Sequence, residues 1–443
     1  MGSRSRRARK SGPRRDHNEA VPFPGDPPRR AWPSDPPRRP WPRLTGHRRR
    51  RRLALVTPWP PERSGVAEYS LRLSRALAER VDVEIVVGGA VGDYARPPEA
   101  GVTLIGVEAF RVSGRRSQPD RIVHCMGNSG LHEHVYELLR EAPGPVLLHD
   151  AQLTGFFGHY AGRERPADPL GRLVERVRED YGERIPSEEL ASAPLSWRRR
   201  AELGIYLTAE IQRHAERVFV HSRFAQEVVE RDGAILERRV PVSVMPFAMP
   251  APGPAGARGP AAPAPLVVHM GVVSEIKGIG ALIEAFALLA VRAPDARLVI
   301  AGDGDEAGLD RWRAFARERA PRAAVEIPGH VDAERWSDLL ARADLAVQLR
   351  VVSNGEASAA VCDCLAAGIP TIVSDIGWMG ELPREAVVHV PLDVDAEPLS
   401  ECMYGLLVEQ PARAALSSAA LAHARERSFE RVAGAYLAAL DLD

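Results

Sequence analysis

The 443-residue chain has only two lysines, Lys10 and Lys277, although lysine and arginine together number 59. Its four cysteines include no Cys-x-x-Cys pair and no spacing typical of a metal site. This excludes a disulfide-rich class and favours reduced thiols in the cytoplasm. No apolar run approaches the ~20 residues that a membrane-spanning helix needs. The sequence therefore predicts a soluble cytoplasmic protein, with membrane association at the inner face as an alternative.

The chain also lacks a net charge, because 59 acidic side chains balance the 59 basic ones. The two signs are unevenly distributed. Residues 1–52 carry 17 basic and four acidic side chains, whereas residues 53–443 carry 42 basic and 55 acidic ones. This asymmetry is typical of a basic arm attached to an acidic folded body.

The arm has ten prolines and contains Asp-Pro-Pro-Arg-Arg twice, starting at Asp26 and at Asp35. Such a composition cannot bury a core, so we expect disorder. Three interpretations stay open: a tether to nucleic acid or an anionic membrane, a solvated tail, and a reading frame called too far upstream. We predict no specific nucleic-acid partner and, at most, a weak peripheral membrane contact.

Beyond the arm, short apolar strands alternate with amphipathic helices, a pattern typical of parallel sheets covered on both faces. A Pro/Gly/Ala-rich stretch interrupts the alternation, which then restarts. The predicted fold class is α/β, with two doubly wound, Rossmann-like domains facing each other across a cleft. The predicted boundaries are 1–52 for the arm, 53–250 for the N-terminal domain, 251–265 for the linker, 266–426 for the C-terminal domain, and 427–443 for a C-terminal helix that could cross back to the N-terminal domain.

The strongest candidate motif is Asn354-Gly-Glu-Ala-Ser358, at the start of a helix predicted over residues 357–367. Free N–H groups at a helix N-terminus suit a phosphate. Glu356 and Asp363 are seven residues apart, which would place both carboxylates on one helix face about 10 Å apart. That spacing suits a nucleotide-sugar, with Glu356 near the sugar and Asp363 on the ribose. An ordinary acidic helix terminus followed by a solvated aspartate is the alternative.

The second motif, Gly271-Val-Val-Ser-Glu-Ile-Lys277-Gly278, is a strand-to-helix loop that holds the one lysine outside the arm. A compact ammonium suits a diphosphate reached through a tight loop. The alternative is a lysine retained by chance.

Two further motifs lie in the N-terminal half. Gly65 follows Ser64 at a helix start and would let the backbone approach a ligand. His149 and Asp150 end a strand at the cleft, where the histidine could hydrogen-bond a substrate hydroxyl or a developing charge. Other polar residues flank a neighbouring strand end and could line an acceptor site: His124, Asn128 and His132. The alternatives are an ordinary turn and structural histidines.

A family resemblance rests on these motifs and on others that follow in order along the chain. They include Ala301-Gly-Asp-Gly304, Ile327-Pro-Gly-His-Val331, Ala343-Asp-Leu345 and Gly368-Ile-Pro370. Together with Lys277-Gly278 they resemble the C-terminal domain of retaining glycosyltransferases of family 4, which have the GT-B fold. Segments that look like the matching N-terminal domain are Ser64-Gly-Val-Ala-Glu-Tyr69, Leu148-His-Asp150 and Val220-His-Ser222. The resemblance covers about residues 53–440.

The resemblance implies an enzyme that moves a sugar, of hexosyl type, from a nucleotide-diphospho-sugar to a saccharide, lipid-linked or small-molecule acceptor. It implies retention of the anomeric configuration without a metal or another cofactor. The implied catalytic residues are His149, Lys277 and Glu356. The implied donor-binding residues are Gly65, Ser274, Lys277, Arg350, Glu356, Ala357, Ser358 and Asp363. The implied acceptor-binding residues are Ser64, Tyr69, Asn128, His149 and Asp150.

Two positions depart from the family pattern. Val272 stands where the family has an arginine, and the first of the family's two paired glutamates aligns with Gly355. We hypothesise that Glu356 restores the carboxylate after a one-residue shift and that Arg350 supplies the missing cation. Two alternatives to an active enzyme remain: a sugar-binding or partner protein with a degraded donor site, and nucleic-acid or anionic-surface binding through the arm.

Overall fold

The computed structural model describes residues 49–97, 99–112, 118–182, 197–252 and 264–443. Residues 1–48 of the predicted arm and residues 253–263 of the predicted linker lie outside this part of the chain. The described residues form two α/β halves, each built on a parallel sheet. The predicted architecture of two doubly wound sheets is confirmed.

The described N-terminal half contains a seven-stranded parallel sheet. Its strands are β1 (Arg52–Val56), β2 (Asp82–Val87), β3 (Val102–Gly106), β4 (Arg121–Met126), β5 (Pro145–Leu148), β6 (Arg217–Val220) and β7 (Val242–Val244). Their spatial order is β3-β2-β1-β4-β5-β6-β7. The chain therefore changes direction across the sheet between β1 and β4, and in such sheets ligands bind where the strand order reverses, at the carboxyl ends.

Helices cover this sheet, and serine caps fix the start of two of them. The helices are α1 (Gly65–Ala78), α2 (Val107–Val112), α3 (Glu133–Glu141), α4 (Thr154–Glu164), α5 (Pro169–Tyr181), α6 (Trp197–Glu202), α7 (Thr208–His214) and α8 (Arg223–Asp232). The Ser64 hydroxyl accepts from the Val66 N–H at 3.2 Å, and Ser222 caps α8 in the same way. A side-chain oxygen at the N-cap satisfies an otherwise unpaired N–H, so both helices begin at the carboxyl edge of the sheet.

The described C-terminal half repeats this plan with a six-stranded parallel sheet of order β10-β9-β8-β11-β12-β13. The strands are β8 (Leu266–Met270), β9 (Arg297–Ala301), β10 (Ala324–Gly329), β11 (Leu345–Gln348), β12 (Thr371–Ser374) and β13 (Val388–Val390). The helices are α9 (Ile279–Arg292), α10 (Glu306–Arg319), α11 (Ala333–Arg342), α12 (Ala359–Ala366), α13 (Gly377–Gly380), α14 (Ala396–Val408), α15 (Gln410–Glu426) and α16 (Phe429–Ala439). Here the strand order reverses between β8 and β11.

The start of α12 corrects the sequence prediction. Ser358 is the N-cap and accepts from the Val361 N–H at 3.4 Å, so the helix begins at Ala359 rather than at residue 357. Glu356 therefore lies in the loop before the helix, and only Asp363 projects from the helix itself. The prediction that both carboxylates project from one helix face was wrong. The Ser358 hydroxyl caps the helix, so its first residue is 359 instead of the predicted 357.

Backbone contacts join the carboxyl edges of the two sheets. The Ala151 N–H donates to the Asn354 carbonyl at 2.6 Å. Gly355 has φ +80°, and a Cβ there would lie 2.4 Å from the Ala151 Cβ, so this approach requires glycine. In addition, the Glu381 carboxylate accepts from the N–H groups of Arg223 and Phe224, in the first turn of α8, at 2.9 and 2.7 Å. An acid from one half thus stabilises a helix N-terminus of the other.

The last helix, α16, returns to the N-terminal half. Phe429 packs against Tyr69 of α1 with 5.4 Å between ring centroids. Next to this contact, the Met249 N–H donates to the Arg427 carbonyl at 2.8 Å. The chain therefore passes from one half to the other near Met249 and returns near Arg427, side by side.

Candidate active site between the two halves

A cavity of about 650 Å³ lies between the carboxyl edges of the two sheets. Of the predicted site residues, those that line it are Ser64, Gly65, Asn128, His149, Asp150, Ser274, Lys277, Arg350, Glu356, Ala357, Ser358 and Asp363. It is also lined by His132, by Ala359 and Ala360 at the start of α12, and by Phe247 and Trp336, which no local motif marked. Its volume is in the range of ligand sites, and both halves contribute polar groups.

Lys277 is placed at this cavity by a tight turn after β8. Gly278 has φ +61°, and a Cβ there would lie 2.8 Å from the Leu349 Cβ, so glycine allows α9 to start directly after the lysine. No group in the described part of the chain accepts a hydrogen bond from the Lys277 ammonium. Burial, with the nearby charge of Arg350, lowers the pKa of Lys277 to about 7. A bound anion would supply the missing countercharge.

Arg350 and Glu356 form an ion pair on the same wall. The Arg350 guanidinium donates to Glu356 Oε1, and the other carboxylate oxygen accepts from the Asn354 N–H at 2.7 Å. The Arg350 backbone N–H is in turn fixed by the Ser374 hydroxyl at 2.9 Å. Val272 lines the cavity but is exposed. A guanidinium therefore does reach the cavity, from the end of β11 instead of from position 272.

Asp363 is held by two residues that no local motif marked. The Trp336 indole N–H donates to its carboxylate at 3.1 Å, and a guanidinium nitrogen of Arg72 lies 3.6 Å from it. Burial raises the pKa of Asp363, and the charge of Arg72 opposes this rise. Trp336 belongs to α11 and Arg72 to α1, so the sequence offers no spacing that joins either of them to Asp363.

The opposite wall presents His149 and Asp150, at the end of β5. His149 is buried, its Nδ1 lies 3.3 Å from His221 Nε2, and its Nε2 has no partner among the described residues. Burial, with His221, lowers its pKa well below the usual value. The Asp150 carboxylate accepts from the Asn128 N–H at 3.1 Å. Burial, with the like charge of Glu356, raises the pKa of Asp150 to about 7.

Three residues that the sequence suggested for the site make hydrogen bonds to the protein backbone. The Asn128 side-chain oxygen lines the cavity but accepts from the N–H groups of Gly155 and Phe156, so it caps α4. Tyr69 does not line the cavity. It shares the inward face of α1 with other core residues, and its hydroxyl accepts from the Ala248 N–H. His124 is fully buried with its Nε2 on the Ala142 carbonyl, and it too is absent from the lining.

The two walls therefore differ in chemistry. The C-terminal wall supplies cations and the N-terminus of α12, whose Ala359 and Ala360 border the cavity. The N-terminal wall supplies a neutral imidazole nitrogen and a carboxyl group. Such a cavity can hold an anionic group on one side and hydroxyl groups on the other.

The described ranges lack both a cluster of metal ligands and a membrane-spanning helix. No group of three or more histidine, cysteine, aspartate or glutamate side chains there could hold a metal ion. No helix in those ranges is long and apolar enough to cross a membrane.

Comparisons with known proteins agree with this architecture. Residues 258–423 match the family model described as glycosyl transferases group 1. No curated protein matches the chain by sequence.

Solved structures match over 88% of the chain. Sucrose-phosphate synthase from Thermosynechococcus elongatus has a TM-score of 0.62 at 18% identity, over 98% of its length. HepE from Anabaena, in complex with UDP-glucose, has a TM-score of 0.59 at 13% identity, over 99%. WaaG, a glycosyltransferase involved in lipopolysaccharide biosynthesis, has a TM-score of 0.55 at 14% identity, over 99%. The chain thus has the GT-B fold, and its residues 258–423 match the model of glycosyl transferases group 1.

Proposed function

We propose that this protein is a retaining glycosyltransferase that moves a hexosyl group from a nucleotide-diphospho-sugar to a hydroxyl-bearing acceptor. The observation that carries the proposal is the half-buried ammonium of Lys277, which has no partner among the described residues and lines a cavity of the GT-B fold together with the N-terminus of α12. Because HepE is described with UDP-glucose, a UDP-sugar is the first donor to test.

In this proposal the C-terminal wall stabilises the departing diphosphate. The Lys277 ammonium and the Arg350 guanidinium supply positive charge, and the N–H groups at the start of α12 supply oriented dipoles. The Asp363 carboxylate binds the ribose, and Glu356 lies near the sugar. These groups are held before the donor arrives, so the work is positioning and electrostatic stabilisation. The proposal needs no metal ion and assigns no carboxylate as nucleophile.

The N-terminal wall binds hydroxyl groups. His149 lines the cavity and its Nε2 has no partner among the described residues, so this nitrogen can accept a hydrogen bond from a sugar or acceptor hydroxyl that reaches it. Asp150 and Ser64 provide further polar contacts on the acceptor side. With retention, the leaving phosphate takes the proton of the attacking hydroxyl, so His149 orients and does not have to remove a proton.

A panel of UDP-, GDP-, ADP- and dTDP-sugars tests the proposal by their effect on the melting temperature. A donor present at 100 times its Kd is expected to stabilise the protein by about 2.7 kcal/mol, because it binds only the folded state. Release of nucleoside diphosphate with the same donor then shows transfer or hydrolysis, and proton NMR of the product shows its anomeric configuration. If no donor changes the melting temperature and none is consumed, the chain is not this enzyme.

Binding of UDP alone is expected to weaken between about pH 7 and pH 9. The pKa of Lys277 is lowered to about 7, so the ammonium that binds a diphosphate is lost over this interval. UDP is already ionised there, since its second phosphate pKa is near 6. Calorimetric titrations in buffers of different ionisation enthalpy measure both the rise in Kd and the uptake of protons.

Two variants identify the titrating group. Lys277→Arg keeps a charge with a pKa above 12 and is expected to remove most of the pH dependence. Asp150→Asn removes the other group with a pKa near 7, whose ionisation also disfavours an anion. A Kd that stays constant over this pH interval in the parent protein would contradict the assignment.

A further inference from the structure

Two buried histidines and a backbone carbonyl form a hydrogen-bonded chain whose last member, His149, lines the cavity. His221 Nδ1 lies 3.3 Å from the Met245 carbonyl oxygen, and His221 Nε2 lies 3.3 Å from His149 Nδ1. The last atom of the chain, His149 Nε2, has no partner in the described part of the protein. His149 lines the cavity, whereas His221 lies behind it.

Both imidazoles are packed so that they stay neutral. His149 and His221 are 6% and 4% exposed. Their ring centroids lie 5.1 and 5.8 Å from the centroid of the Tyr69 ring. His221 also packs edge-on against Phe247, with 4.8 Å between the ring centroids. Among the described residues, no hydrogen bond or ion pair joins either ring to a carboxylate. Burial lowers the pKa of His221 to about 4, in the same direction as for His149.

A neutral imidazole has one N–H donor and one acceptor nitrogen, which fixes the direction of each hydrogen bond. The Met245 carbonyl only accepts, so His221 Nδ1 carries the proton. His221 Nε2 is then the acceptor, and it can accept only from a protonated His149 Nδ1. His149 Nε2 is therefore left with a lone pair that no described residue engages.

We propose that His221 is a positioning residue that holds His149 as the Nδ1–H tautomer, so that the Nε2 lone pair accepts a hydrogen bond from a substrate hydroxyl. This inference rests on the proposed function, because it needs a hydroxyl-bearing substrate at this wall. Without His221, His149 is free to adopt the Nε2–H tautomer, which presents a donor to the cavity and cannot accept that hydrogen bond.

Three substitutions separate the two nitrogens of His221. The amide of His221→Gln reaches about as far as Nε2 and can still accept from His149. The amide of His221→Asn reaches about as far as Nδ1, so it keeps the Met245 contact and loses the His149 contact. His221→Phe keeps a ring of similar size and loses both. We expect kcat/KM for transfer to fall by about 10-fold in the asparagine and phenylalanine variants, as for one lost hydrogen bond, and to recover in the glutamine variant.

His124→Phe is the matched control. It replaces another buried histidine, whose Nε2–H donates to the Ala142 carbonyl and which does not line the cavity. Its kcat/KM is expected to stay close to that of the parent. Melting temperatures of all variants show whether any loss follows from unfolding.

The tautomer is measured without turnover by ¹⁵N NMR of histidine-labelled protein, with the His149 signals assigned from His149→Gln. We expect protonated Nδ1 in the parent and in His221→Gln, and protonated Nε2 to gain population in His221→Phe and His221→Asn. A parent His149 protonated at Nε2 overturns the inference, even if no His221 variant folds. So does a parent-like kcat/KM in His221→Phe. If the tautomer is as expected but no donor is consumed, the proposed function fails instead.

Discussion

Replacing Lys277 by alanine is expected to reduce sugar transfer by about 10³-fold or more while leaving the fold intact. The loss is large because Lys277 is a half-buried cation at the cavity wall without a protein partner among the described residues, so its whole charge is available to a departing diphosphate. Since burial lowers the pKa of this lysine, its removal relieves a desolvation cost, and the melting temperature is expected to stay the same or to rise.

Steady-state kcat/KM and the UDP Kd measure this effect. Arg311→Ala is the control, because it removes one exposed positive charge from the same half, away from the cavity. The control is expected to behave like the parent, since bulk charge does not attract the donor to a body that is itself acidic. Equal activity of Lys277→Ala and Arg311→Ala would contradict the role assigned to Lys277, on which the proposed function rests.

Replacing Arg350 by alanine is expected to lower both activity and stability. It leaves the Glu356 carboxylate, which is mostly buried, with the Asn354 N–H as its remaining donor and with Asp150 nearby. Breaking a buried ion pair from one side typically costs about 3 kcal/mol, and the pKa of Asp150 is expected to rise further. We expect about a 10²-fold loss of kcat/KM, because one of two cations near the diphosphate is gone.

A double-mutant cycle with Glu356→Gln separates pairing from catalysis. If the two side chains stabilise each other, the double variant is expected to be more stable than the sum of the single effects predicts. Arg384→Ala is the control, because it breaks an exposed pair with Asp375 in the same half, which should change stability little. Parent-like turnover in both Arg350→Ala and Glu356→Ala would refute the hypothesis that they replace the missing family residues.

Local signals predicted much of this architecture. The strand and helix alternation follows from apolar runs buried on both sheet faces, and the Ser64 cap lies directly before its helix. Lys277 stood out because arginine replaces lysine almost everywhere else in the chain. Each of these features depends on neighbours within a few residues, so the sequence alone carries it.

Contacts between distant elements could not be predicted in the same way. Glu381 caps a helix that begins 158 residues earlier in the chain, and Trp336 and Arg72 reach Asp363 from two other helices. The motif predicts Tyr69 as a site residue because it follows Gly65 closely. Its position on the helix, however, places its side chain on the face that packs into the core. Tertiary packing decides such cases, and spacing along the chain does not record it.

The paired chain crossings at Met249 and Arg427 limit how the two halves can move. Because the two connections are hydrogen-bonded to each other, a rotation of the halves about this line would keep them paired, whereas sliding of one half past the other would separate them. Rotation would break the Ala151–Asn354 and Glu381 contacts together, since all of them join the facing edges.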